Sequence, residues 1–216
     1  MNTTTMVALA ANNEPVPIQY LYQEDFSSYQ LGTAISSIKG WYMYDQSGGG
    51  ASANVALSSP LSGHSAQIQP ASGFWDSIQY FGQTFGDVDF SCWVALPPSE
   101  AMIFHVRTQN ITWWLPDSYY LFVTALGAWS IGKACGSNTY NLLSGNAGYS
   151  VGKTQIRIVV KGLVVTGYLN GNLLGSHDFT GDGLCSSAAY PTGGLGFTCP
   201  SSGIPYQISD IKVLSA

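Results

Sequence analysis

TQIRIVVKGLVVTGYLNGNLLGSHDF, residues 154–179, is the stretch that decides the fold of this 216-residue chain. It contains three β-prone runs, which are separated by Lys161-Gly162 and Asn170-Gly171. In the first run the aliphatic side chains recur at every second position, at Ile156, Ile158 and Val160. That period of two is typical of a strand with one face in water. Asn-Gly favours a type I′ turn, which needs positive φ at both central residues. The stretch therefore predicts a meander of antiparallel strands.

The order of the sequence motifs in the C-terminal part of the chain also resembles that of a known family. The order "IRIVV", "YLNG", "LLGSHDF", "GGLGF" and "YQISDIKVL" resembles the last third of concanavalin A-like (laminin-G-like) jelly-roll domains. Upstream, "EDFSSYQLGTAISSIKGW" is similar to the opening of the same group. The resemblance covers residues 20–216 and implies a single all-β domain, an antiparallel β-sandwich of the concanavalin A-like jelly-roll type. Residues 1–19 are predicted to form an extended N-terminal arm. No helical periodicity is visible in the chain.

Composition narrows the classes of partner. Hydrophobic residues make up 45% of the chain, enough for a sizeable core, but charged residues only 9%, against about 25% in an average soluble protein. Such a surface favours an extracellular or particle-bound protein. The net charge of −5 and the scattered basic residues argue against nucleic acid. No apolar stretch is long enough to span a membrane. The apolar run 6–11 is too short, and lacks the preceding positive charge, for a cleavable signal peptide.

Four cysteines, Cys92, Cys135, Cys185 and Cys199, lack the close spacing of a zinc site. Two disulfides in an oxidising environment are predicted, with three pairings open. A Cys185–Cys199 bond would close a short loop and stabilise the fold by about 3 kcal/mol. The alternative is that all four are buried thiols.

Catalytic patterns are weak. The resemblance would place a Glu-x-Asp-x-x-Glu strand in a glucanase, whereas this chain has Asp87, Asp89 and then Cys92. The three histidines lack the arrangement of a serine triad or a catalytic metal site. The sequence therefore predicts a protein that is not an enzyme, with glycoside hydrolysis as the least favoured hypothesis.

Aromatic residues give the clearest surface signal. Trp113-Trp114 is predicted to lie in a loop between two strands, where sugar rings could stack on the indoles. Residues near this loop in sequence are further candidates for ligand contacts: Arg107, Asp117, Tyr119 and Tyr120. Trp75 is a second candidate on another loop. A subunit interface or rim packing would use the same residue types.

Two other kinds of site are suggested. The resemblance implies a structural calcium ion held by Glu24, Asp25 and Asp210, with solvated carboxylates as the alternative. Asn110 and Asn2 each begin an N-glycosylation acceptor pattern.

The first functional hypothesis is a glycan-binding or adhesion module that meets a glycan or glycoprotein surface. The alternative is a structural subunit of a virion or surface assembly, in which the N-terminal arm joins neighbouring copies into a homo-oligomer. The two roles are compatible.

Overall fold

Antiparallel β-strands form nearly all of the regular structure. The computed structural model describes residues 18–110, 115–136, 138–148, 153–185, 189–200 and 204–216. In these residues the chain forms fifteen strands and one short 3₁₀ turn, Ile35–Ser37, and no α-helix. This confirms the prediction of an all-β chain. Of the predicted arm, only residues 18 and 19 belong to the described part.

The first sheet has eight strands. In spatial order they are β13 (Asn172–Asp178), β12 (Val164–Leu169), β11 (Thr154–Lys161), β6 (Val88–Ala95), β15 (Tyr206–Ser215), β4 (Gly63–Gln69) and β3 (Ser52–Ser58), with β1 (Tyr22–Glu24) pairing with β15. All of these pairings are antiparallel.

The second sheet has seven strands. In spatial order they are β10 (Asn138–Asn146), β9 (Ala128–Cys135), β8 (Ser118–Thr124), β7 (Ala101–Thr108), β14 (Gly193–Cys199), β5 (Asp76–Phe85) and β2 (Trp41–Tyr44). Their pairings are antiparallel as well. The two sheets pack face to face, as predicted.

The meander that the sequence predicted is present as β11, β12 and β13. Asn170 and Gly171, between β12 and β13, have φ values of +50° and +79°, the positive values that the Asn-Gly pair favours. Ile156, Ile158 and Val160 are fully buried, whereas Arg157, between them, is partly exposed. The period of two therefore marks the face of β11 that enters the core.

The core lies between the two sheets. It joins alternate residues of both, among them Phe90 and Ile158 from the first sheet and Phe104 and Phe197 from the second. Phe197 contacts Phe90 and Phe104, with ring centroids 5.9 and 6.1 Å apart. Close packing requires glycine at position 194 within β14, since a Cβ there would overlap the carbonyl oxygen of Tyr80 on the neighbouring β5.

The cysteines differ from the predicted pattern. Cys135, at the end of β9, forms a disulfide with Cys185, in the loop after β13. Cys92 and Cys199 are free and fully buried, on strands of different sheets. Burial raises the pKa of both thiols, which pack as small apolar groups. The expectation of two disulfides is therefore corrected to one among the described residues, and the Cys185–Cys199 pairing does not form.

Candidate functional site

The outer face of the seven-stranded sheet carries an apolar patch of its own. Along β8, Tyr119, Leu121 and Val123 enter the core, so the residues between them point away from it. Tyr120 belongs to a second buried cluster with Ile103, Leu115 and Ala134, and Trp75 and Phe122 pack against it. An outer sheet face built this way offers aromatic surface outside the main core.

A cavity of about 510 Å³ lies on this patch, and we call it the tyrosine cavity. In the part of the chain that the structure describes, four aromatic residues line it: Trp129, which also belongs to the main core, and Trp75, Tyr120 and Phe122, which we call the aromatic wall. Ser130, Asn141 and Ser144 supply polar atoms from β9 and β10. Its volume falls in the range of small-ligand sites, about 300–1,000 Å³. None of the described residues that line it carries a charge. The arrangement suits an uncharged ligand with both apolar and hydroxyl-bearing faces.

Asn141 is the centre of the polar wall. Its Oδ1 accepts hydrogen bonds from the Tyr120 hydroxyl and from Ser130 Oγ, each 2.8 Å long. Burial raises the pKa of Tyr120, so its hydroxyl stays protonated and keeps donating. With Oδ1 engaged on both sides, the amide nitrogen of Asn141 is the group that can donate to a ligand.

The backbone at Trp75 is fixed by hydrogen bonds to the loop that contains Gln46. The backbone N–H of Trp75 donates to Gln46 Oε1 over 2.8 Å. The next residue, Asp76, is fully buried and accepts from the backbone N–H groups of Gln46 and Ala71, over 2.8 and 2.7 Å. These hydrogen bonds join the loop after β2, which contains Gln46, to the loop before β5, which contains Trp75.

The structure brings together two of the predicted ligand contacts, Trp75 and Tyr120. Arg107 and Tyr119 lie in the interior instead, with 2% and 0% of their surface exposed. Asp117 accepts a hydrogen bond from the backbone of Gly136, beside the disulfide. Trp113 and Trp114 lie outside the described residues, so their proposed platform stays a prediction.

Both carboxylates considered for catalysis are bound to arginines. Asp87 pairs with Arg107 over 2.8 Å and also accepts the N–H of Gly162. Asp89 accepts two hydrogen bonds from Arg157, of 2.7 and 2.6 Å. Asp89 belongs to the eight-stranded sheet, and neither aspartate lines the tyrosine cavity, which lies on the other sheet.

Only two of the three acidic residues considered for calcium meet. Asp25 and Asp210 border one cavity on the eight-stranded sheet, whereas Glu24 does not line it and accepts from the N–H of Phe26 and the hydroxyl of Tyr29. Within the described ranges no three acidic, histidine or cysteine side chains are grouped to hold a metal ion. Asn110 is half-buried. Asn2 lies outside the described part of the chain, as do Ile111 and Thr112 of the first acceptor pattern.

His105 is a fully buried polar residue, and nothing in the sequence indicated that it affects stability. Its ring nitrogens lie 2.8 Å from Ser118 Oγ and 2.9 Å from Thr198 Oγ1, on the outer face of the sheet. Burial lowers its pKa from 6.5 to about 3. The native protein therefore keeps this imidazole neutral.

We expect acid to destabilise the protein through His105. Below pH 6.5 the unfolded chain takes up a proton that the native state cannot hold until about pH 3, so the free energy of unfolding falls as pH falls across that window. The loss from this group should be about 2 kcal/mol between pH 7 and pH 5, measured by urea unfolding. His105→Gln should flatten this slope, whereas the control His177→Gln should keep it. An unchanged slope in His105→Gln would contradict the assignment.

Neither a family model nor a curated protein sequence matches this chain. Solved structures do resemble it in fold. Carbohydrate-binding module CBM66 from Bacillus subtilis has a TM-score of 0.60 at 12% identity, covering 82% of this chain and 96% of its own. The Bacillus licheniformis β-glucanase gives 0.60 at 10% identity, covering 90% and 98%. The Emp46p carbohydrate recognition domain gives 0.57 at 10%, covering 85% and 93%.

These similarities identify the fold as the concanavalin A-like jelly-roll sandwich, which confirms the resemblance drawn from the sequence. Proteins with this fold include both carbohydrate binders and glucanases. Within the described residues there is no helix with the length and apolar character to cross a bilayer.

Proposed function

We propose that this protein is a non-catalytic, extracellular glycan-binding module whose ligand occupies the tyrosine cavity. One observation carries the proposal: a single cavity has both an aromatic wall and an uncharged polar wall. The aromatic wall is Trp75, Tyr120 and Phe122, and the polar wall surrounds Asn141. Sugar rings have apolar C–H faces and hydroxyl edges, so they need both kinds of wall. The carbohydrate-binding proteins among the similar structures support this class of ligand.

The chemistry of the walls favours a neutral sugar. A ring stacked on Phe122 or Trp75 would direct its hydroxyls towards the Asn141 amide and the Ser130 and Ser144 hydroxyls. An acidic sugar would leave its carboxylate without a cationic partner there, at a cost in desolvation. The Cys135–Cys185 disulfide is consistent with an oxidising, extracellular setting.

The role in adhesion or in a virion or surface assembly remains a further proposal. It depends on the N-terminal arm, most of which lies outside the described residues. Deleting residues 1–19 should abolish assembly and leave the sandwich folded, and a full-length chain that is monomeric at every concentration would contradict it.

Glycan binding is tested on an array of neutral and acidic oligosaccharides, followed by titration calorimetry with the best neutral ligand. Trp75→Ala and Asn141→Ala should each weaken binding, the first by about ten-fold or more because it removes a stacking face. Tyr42→Ala is the matched control, since Tyr42 is an exposed aromatic residue on β2 at the opposite edge of the same sheet. An array without signal for the parent protein would refute the proposal.

The proposal that the protein is not an enzyme is tested by a separate measurement. The bound oligosaccharide should keep its length after prolonged incubation, as measured by mass spectrometry. Shortened products that persist in a highly purified sample would show that the protein is a glycoside hydrolase.

A further inference from the structure

A second cavity lies on the opposite side of the sandwich, against the eight-stranded sheet. Its volume is about 350 Å³, and we call it the lysine cavity after Lys153. Its lining includes the basic residues Lys153 and His64, together with Trp93, Asp25 and Asp210. The tyrosine cavity shares no residue with it.

The fold brings these five side chains together from five separate segments. Trp93 lies on β6 between the core residues Cys92 and Val94, so its indole points outward. Asp210 lies on β15 where the pairing with β6 shifts register, and its φ is +50°. Irregularities of this kind redirect a side chain out of the regular alternation. Asp25 follows β1, and His64 belongs to β4.

The cavity already accommodates an ammonium group. Lys153 Nζ lies 4.4 Å from the centroid of the Trp93 ring, within the range of a cation–π interaction. Lys153 itself is exposed, and it reaches the indole from just before β11. A flexible, solvent-exposed side chain, rather than the packed core, therefore covers this face of Trp93.

The charges around the cavity favour a cation. Asp25 and Asp210 face it with carboxylates, and Asp210 is also paired with Lys212 over 2.8 Å. If the Lys153 ammonium moves away, an excess of negative charge remains beside the indole. The net charge of −5 on the whole chain acts in the same direction.

We propose that the lysine cavity binds an amino-sugar residue, whose protonated amine displaces the Lys153 ammonium from Trp93. The cavity is larger than an ammonium group needs, and Ser27 and Ser209 on its wall provide partners for sugar hydroxyls. Lys153 then acts as an internal competitor that lowers the affinity for the ligand. This site takes a cationic sugar, whereas the tyrosine cavity takes a neutral one.

The test is calorimetry with millimolar glucosamine at neutral pH, with glucose and n-butylamine as comparison ligands. The parent should bind glucosamine weakly, n-butylamine more weakly still, and glucose not measurably. Lys153→Ala should tighten glucosamine binding about three-fold or more, because the competing cation–π contact is gone. Lys161→Ala, which removes another exposed lysine at the end of β11, should change nothing.

Two further variants locate the site and separate it from the tyrosine cavity. Trp93→Ala and Asp25→Asn, both made in the Lys153→Ala background, should each weaken glucosamine binding about three-fold or more. Trp75→Ala should leave glucosamine binding unchanged. The two proposed sites can therefore be confirmed or refuted independently of each other. The proposal is overturned if Lys153→Ala does not tighten glucosamine binding. It is also overturned if either glucose or n-butylamine binds the parent as tightly as glucosamine does.

Discussion

Replacing Arg107 by methionine should lower the free energy of unfolding by about 3–5 kcal/mol. The guanidinium is almost fully buried and donates to the carbonyl oxygens of Gly86, Gly162 and Tyr190 as well as to Asp87. Methionine has a similar length but no donor. The carbonyl group of Tyr190 is buried, so losing its donor there costs about 1–3 kcal/mol. The bonds to Gly86 and Gly162 are only partly buried, so their loss adds smaller amounts.

The effect arises because Arg107 joins three connections at one end of the sandwich. Gly86 lies between β5 and β6, Gly162 between β11 and β12, and Tyr190 before β14. Chemical denaturation measures the change. Asp87→Asn is the control and should cost less than about 1 kcal/mol, since Asp87 is 46% exposed and water can replace its ion pair. Equal losses in the two variants would show that the ion pair, rather than the carbonyl contacts, carries the stability.

Removing the disulfide in the double variant Cys135→Ser, Cys185→Ser should lower the free energy of unfolding by about 4 kcal/mol. The bond joins residues 50 positions apart, and a closed loop of that length strongly restricts the unfolded chain. It holds the loop after β13 against the end of β9. Beside it, Lys133 Nζ lies 3.1 Å from Asp182 Oδ2, and both side chains are buried.

The free cysteines provide the control for that experiment. Cys92→Ala and Cys199→Ala each remove a buried sulfur but no cross-link. Each should cost about 1–2 kcal/mol from lost packing in the absence of reducing agent, because the Cys135–Cys185 bond is still present. The parent and both of these variants should lose most of a further ~4 kcal/mol when they are reduced before unfolding, whereas the double variant should not respond to reducing agent. A parent that is equally stable with and without reductant would contradict the assigned bond.

Much of the candidate site was not predictable from the order of residues. Trp75 and Tyr120 were each identified as candidates, but nothing in the sequence showed that they share one cavity. Asn141 carried no sequence signal, because a single Asn in a strand is common, and Phe122 was not singled out. A clue to Phe122 existed in the alternation of β8, which leaves Tyr120 and Phe122 on the face opposite Tyr119 and Leu121.

Arg107 illustrates the opposite failure. Its nearness to the tryptophan pair in sequence suggested a ligand contact, but its positive φ of 54° at the end of β7 accompanies a side chain directed into the interior. The sequence carried no sign that three distant carbonyl groups would meet it there.

By itself, the sequence determined the strand alternation, the Asn170-Gly171 turn and the all-β class, because side-chain periodicity and turn φ values depend on neighbours along the chain. Only the tertiary structure decided that Cys135 joins Cys185 and that Asn141 meets Tyr120. It likewise decided that Lys153 covers Trp93. These contacts depend on which strands become neighbours across the sheets. That choice follows from the packing of the whole core rather than from any local pattern.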